Sequence, residues 1–149
     1  MTKVLFVCHG NICRSPMAEF VLKDMVAKKG LSNQFHIASA ATSTEEIGNS
    51  VHPGTRRILQ KLGIRCDGKV AVQLTSKDYE LYDYLIGMDT YNIRNMRRMC
   101  GHKDDKIFLL LSFTGENTDI ADPWYTGNFE TTYHDIRRGC LGFLNKLAL

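Results

Sequence analysis

The sequence predicts an α/β protein: a single domain over residues 1–149 with a four-stranded, parallel, twisted sheet flanked by helices. Three observations carry that reading. Four short apolar runs, Val4–Val7, Phe35–Ala38, Tyr84–Gly87 and Ile107–Leu111, have strand length and strand composition. Segments with helical spacing separate them, so successive strands are joined by right-handed crossovers and lie parallel, covered on both sides. The first run also turns directly into a helix, an arrangement that places backbone N–H groups where an anion can sit.

Taken in order, residues 3–7 read as a buried strand. Ser15 is a suitable N-cap and Pro16 suits the first helical position, where its missing N–H costs nothing. Met17, Phe20, Val21 and Met25 give that helix its apolar spacing, and Gly30 is its natural stop after Lys29. After the second strand, the small and polar run Ser39 to Gly48 reads as a loop. A second helix is expected after His52-Pro53 and before Gly63, with Ile58, Leu59 and Leu62 on its inner face. Thr75 or Ser76 opens a short helical turn toward Glu80. Asp89 is an N-cap for a basic, exposed helix through Arg98. Ile107–Leu111, uninterrupted by polar residues, is expected to be buried on both faces. A loop from Ser112 to Thr126 holds Asp122-Pro123-Trp124-Tyr125. A last helix spans Phe129 to Leu147, with Tyr133, Ile136, Cys140, Phe143, Leu144 and Leu147 at core spacing.

The chain's 149 residues can bury about two-thirds of their unfolded surface. A net charge of +3 is too mild and too dispersed to argue for nucleic acid or membrane as partner. No apolar stretch of signal-peptide length opens the chain, and no window approaches a transmembrane span. Five cysteines (8, 13, 66, 100 and 140) form an odd set without disulfide-framework rhythm, as expected of reduced thiols in a cytoplasmic protein. The five histidines lack ligand spacing, so neither a metal nor a cofactor is expected. No repeat, linker or low-complexity tract interrupts the chain.

The chemistry concentrates in Cys8-His9-Gly10-Asn11-Ile12-Cys13-Arg14-Ser15-Pro16. Inward N–H groups, a helix N-terminus worth roughly half a positive charge and Arg14 all favour an anion, so the turn reads as a phosphate cradle. The same setting favours a thiolate at Cys8, a strong nucleophile toward phosphorus. Arg14 can grip two phosphoryl oxygens bidentately, Ser15 can donate its hydroxyl to the Cys8 sulfur, and Gly10 allows close backbone approach. In open parallel sheets ligands bind beyond the carboxyl ends of the strands, an edge that the Asp122 loop can also reach.

Cys8-x4-Cys13-Arg14-Ser15-Pro16, with Asp122-Pro123 far downstream, resembles the low-molecular-weight protein tyrosine phosphatases across nearly the whole chain. The resemblance implies a flavodoxin-like sheet and a two-step, metal-free hydrolysis of phosphotyrosine or small aryl phosphates. Cys8 would be the nucleophile, Arg14 the phosphate clamp and Asp122 first proton donor, then base. His9, Gly10, Asn11, Ile12, Cys13 and Ser15 would complete the phosphate-binding loop, with hydrogen bonds of Asn11, Ser15 and Ser39 holding its shape. Inorganic phosphate and related oxyanions would bind there too. Trp124 and Tyr125, which could equally be ordinary packing aromatics, would wall the slot for the phosphotyrosine ring. Tyr125 also matches a position that relatives can have phosphorylated. Cys13, otherwise loop packing, would be a redox guard that forms a reversible disulfide with Cys8.

Two departures stand out. Where relatives often carry an aromatic after Ser39, this chain reads Thr44-Glu45-Glu46, and where many carry a cradle-supporting histidine it reads Asp67-Gly68-Lys69. No residue is assigned the histidine's role. Arsenate reduction on the same fold would need two further cysteines close together, whereas Cys66 and Cys100 lie far apart in sequence. A protein-arginine phosphatase would carry threonine at the position of Ile12, whose methyl groups suit an aromatic ring better. A non-enzymatic anion-binding or redox-sensing module would have no use for the Asp122-Pro123 loop.

Overall fold

The sheet runs in the order β2-β1-β3-β4, with every neighbouring pair parallel, in a computed structural model that describes residues 1–149. Its strands are β1 (Thr2–Cys8), β2 (Phe35–Ala41), β3 (Tyr84–Gly87) and β4 (Ile107–Leu109). The helices are α1 (Arg14–Lys28), α2 (Pro53–Lys61), α3 (Ser76–Leu81), α4 (Thr90–Met99), α5 (Pro123–Thr126) and α6 (Phe129–Lys146). Short 3-10 turns occupy Ser32–Gln34 and Leu110–Thr114.

Strand alternation explains the two-sided core. Val4 and Phe6 of β1 pack with Met17, Leu22, Ile136 and Phe143 from α1 and α6. Leu5 and Val7 face the other way, onto Leu85, Ile93, Met96 and Ile107. No helix is long and apolar enough to cross a membrane. All five cysteines are free and buried.

The structure changes several sequence expectations. The strands buried on both faces are β1 and β3 rather than the fourth. Strand β4 is an edge strand that stops at Leu109, and Phe108 and Leu109 are only half-buried. Beyond it the chain curls into the 3-10 turn, where Ser112 and Thr114 donate their hydroxyls back to the carbonyls of Leu109 and Leu111. Strand β2 continues to Ala41, because pairing with β1 extends through Cys8 opposite Ala41, so Ser39 lies in a strand and not a loop. Leu62 follows α2 as its C-cap and is exposed, while Ile58 and Leu59 are buried. Helix α4 is amphipathic rather than exposed throughout, since Asn92, Ile93 and Met96 are buried.

These elements gather three segments at one edge. Cys8 ends β1, Asp89 follows β3, and the chain after β4 returns so that the Ile120 N–H donates to the Met88 carbonyl at 2.9 Å. This is the carboxyl edge of a parallel sheet, where ligands bind.

Candidate active site

Three donors converge on the Cys8 sulfur. The Asn11 and Ser15 backbone N–H groups donate to Sγ at 3.3 and 3.4 Å, and the Ser15 hydroxyl lies 3.0 Å away. The direction of that last bond follows from the network. Asn11 Nδ2 already donates to Ser15 Oγ at 2.7 Å, so the Ser15 proton is free to point at the sulfur. Three donors aimed at one atom stabilise negative charge on it. The geometry also corrects the expected cap. Helix α1 begins at Arg14 with Cys13 as N-cap, and Ser15 sits inside the first turn, both its donors turned to Cys8.

Asn11 holds the loop from behind. Its φ of 60° is in the left-handed region, which asparagine tolerates better than most residues. Its amide is fully used: Nδ2 also donates to Ser39 Oγ at 2.9 Å, and Oδ1 accepts from Val72 N–H at 3.1 Å. The Ser39 hydroxyl in turn donates to Glu19 Oε1 at 2.6 Å. Asn11, Ser15 and Ser39 are all at most 1% exposed, so they form a support layer beneath the cleft.

That layer reaches two residues, Glu19 and Lys69, to which the sequence assigned no role. The buried Glu19 carboxylate also accepts from Lys23 at 2.6 Å, and Lys69 Nζ lies 3.8 Å away while donating to the Ser39 carbonyl at 2.9 Å. Lys69, to which no role was assigned, thus braces the strand segment behind the cradle. Burial pulls its ammonium below the ordinary range, and Glu19 opposes that shift. The available signal was a glutamate on the apolar side of a helix, which must find a partner once buried.

Arg14 is held from the other side. Its Nη1 donates to Asp89 Oδ2 and to the Ile120 carbonyl, each at 2.8 Å, and Nη2 meets Asp122 Oδ2 at 3.4 Å. Burial disfavours the guanidinium charge, but negative Cys8, Asp89 and Asp122 outweigh it and raise Arg14 above its ordinary range. Asp89 is the N-cap expected, its Oδ1 accepting from Asn92 N–H at 2.7 Å, yet its second oxygen orients Arg14. Asp122 divides its oxygens similarly: Oδ1 caps α5 through Trp124 N–H at 3.0 Å, and Oδ2 faces Arg14.

Cys8, His9, Gly10, Ile12, Cys13, Arg14 and Asp122 line one cleft together with Trp124 and Tyr125. Glu45 and Glu46 line it too, where relatives were expected to carry an aromatic. His9 uses its ring as well as its backbone: Nε2 pairs with Glu45 at 2.9 Å, and the His9 carbonyl accepts from Ser43 N–H and Oγ. The cleft therefore combines a thiol ringed by donors, a buried cation and a carboxylate within reach of that cation. Such a set can bind a tetrahedral oxyanion, attack it and supply a proton. No three acidic, cysteine or histidine side chains converge as a metal site.

An open parallel sheet that ends in an anion cradle with a thiol on its floor defines a phosphate-handling α/β protein. A family model described as "Low molecular weight phosphotyrosine protein phosphatase" matches residues 3–149. The chain belongs to that family. It is 46% identical over 143 residues to the low molecular weight protein-tyrosine-phosphatase YfkJ of Bacillus subtilis, covering 94% of this chain and 92% of the relative. The YfkJ crystal structure superposes with a TM-score of 0.95 at 44% identity, covering 99% of this chain and 95% of that one. The low molecular weight protein tyrosine phosphatase SP-PTP of Streptococcus pyogenes gives 0.89 at 46% identity, covering 99% and 93%. A drosophila arginine phosphatase shares the fold at 0.90 but only 28% identity, covering 99% of both chains.

Proposed function

We propose that this family member hydrolyses phosphotyrosine, and aryl phosphates generally, through a cysteinyl-phosphate on Cys8. The observation that carries the proposal is the single cleft shared by Cys8, Arg14 and Asp122, with three donors on the Cys8 sulfur. In the first step the sulfur forms a bond to phosphorus while the ester P–O bond breaks. The electron pair leaves on the phenolic oxygen, which takes its proton from Asp122. A free phenolate is a poor leaving group, with a conjugate pKa of about 10, so this proton lowers the barrier. In the second step Asp122, now a carboxylate, takes a proton from water as its oxygen bonds to phosphorus. The S–P bond breaks, releasing inorganic phosphate and regenerating the Cys8 thiolate. Arg14 and the loop N–H groups follow the equatorial oxygens through both steps.

Ile12 favours an aromatic ring over a guanidinium in the slot, and Trp124 and Tyr125 add flat apolar surface beside it. Cys13 serves as redox guard: once a peroxide oxidises Cys8 to the sulfenic acid, the Cys13 thiol condenses with it, forming the disulfide and releasing water. The buried, reduced cysteines suit a reducing, cytoplasmic setting.

The test is turnover of phosphotyrosine, phosphoarginine and arsenate in one assay with chelator present. Phosphotyrosine should be hydrolysed, vanadate should inhibit, Cys8→Ser should abolish turnover and Asp122→Ala should slow it by about 100-fold or more. Turnover that survives Cys8→Ser sinks the mechanism, and preference for phosphoarginine sinks the substrate assignment.

A further inference from the structure

We infer that His52 is a positioning residue that fixes the Asp122 loop in place against the loop carrying Cys8. The inference rests on the phosphatase reading above and concerns the proton-transfer half of that site.

His52 touches both loops. Its backbone N–H donates to the Ile12 carbonyl at 2.9 Å, and three residues on, Thr55 Oγ1 donates to the Cys13 carbonyl at 3.0 Å. The start of α2 therefore holds two successive carbonyls of the cradle. The His52 side chain is not free to rotate, because Nδ1 accepts the Gly54 N–H at 3.0 Å and caps the helix. So oriented, the ring stacks on Phe129 at 5.1 Å with an interplanar angle of 22°. It meets Trp124 at 5.7 Å and 80°, edge to face.

Trp124 is the link to Asp122, since its N–H donates to Asp122 Oδ1. The other backbone hydrogen bonds of this turn, from Tyr125, Thr126 and Gly127, all stay within it, so they do not tie it to the rest of the molecule. On the N-terminal side the loop is anchored through Ile120 and through Thr132 Oγ1 on the Ala121 carbonyl. On the C-terminal side the His52 ring holds Trp124. The fit has no slack, because a Cβ on Gly54 would lie 2.4 Å from the Phe129 ring. A continuous path thus runs from Ile12 through His52 and Trp124 to Asp122.

A group that positions the proton donor matters most when the leaving group needs the proton. The test compares kcat/KM for phenyl phosphate with that for p-nitrophenyl phosphate, whose leaving group departs readily without protonation. It is run on the wild type, His52→Asn and His52→Phe. Asparagine keeps an acceptor for the Gly54 N–H but removes the ring; phenylalanine keeps the ring and removes the acceptor. We expect His52→Asn to lose about 10-fold or more on phenyl phosphate and less than about 3-fold on p-nitrophenyl phosphate. His52→Phe should keep the wild-type ratio. A His52→Asn variant with the wild-type ratio, whether active or uniformly weakened, overturns the inference. A wild-type protein that turns over neither ester overturns the phosphatase reading instead.

Discussion

Burial, together with the negative charge of Cys8, Asp122 and Glu46, pushes the Cys13 thiol from its ordinary 9.0 up to about 12, with Arg14 opposing. The folded chain therefore keeps this proton where the unfolded chain releases it. The stabilisation is fully present below about pH 9 and is lost as pH rises toward about 12. The thermal midpoint of the wild type should fall across that window, and Cys13→Ala should flatten part of the fall; equal slopes would show that Cys13 is not the group responsible. The placement of single site residues was largely legible in the sequence when it depended on near neighbours. Cys8, Arg14 and Ser15 share one turn, and the structure brings Asp122 to them. What could not be read was the second use of a residue. Asp89 was recognisable as a helix cap, but its other oxygen reaches Arg14 only because β3 lies beside β1. Lys69 likewise meets Ser39 and Glu19 through tertiary packing alone.

Among the elements, those bounded by local chemistry were legible. Gly30, at φ +72°, follows α1, Pro53 begins α2, and Asp89 caps α4. The apolar run Ile107–Leu111 misled, because continuous hydrophobicity does not distinguish a central strand from an edge strand followed by a buried turn. Leu110 and Leu111 are indeed buried, but in the 3-10 turn against α6. Two glycines permit that packing. A Cβ at Gly139 would lie 2.5 Å from Leu110 Cγ, and one at Gly142 would lie 2.5 Å from the Phe113 carbonyl oxygen. A leucine side chain can shift, whereas a backbone carbonyl held in a turn yields less. Gly142→Ala should consequently destabilise the fold by about 1–3 kcal/mol, measured by chemical denaturation. An unchanged denaturation midpoint would show that the turn yields more easily than the contact implies.

Across the whole molecule, both halves of the core meet on β1, whose residues Val4 to Cys8 are all at most 3% exposed. The Cys8 loop is thus an extension of the most enclosed strand, and its support layer is buried with it. The Asp122 side is built differently: α5 is a single four-residue turn, with Trp124 58% and Tyr125 83% exposed. Backbone amide hydrogen exchange should separate the two. Amides of β1, Asn11 and Ser15 should exchange only through global unfolding, and those of Tyr125 to Gly127 through local opening at far lower free energy. Equal protection in both segments would refute this division. Its consequence is a site with unequal lifetimes in its parts. On the hydrolysis proposed above, phosphate would leave past a segment that opens and recloses cheaply, while the Cys8 half would persist from one turnover to the next without being reassembled.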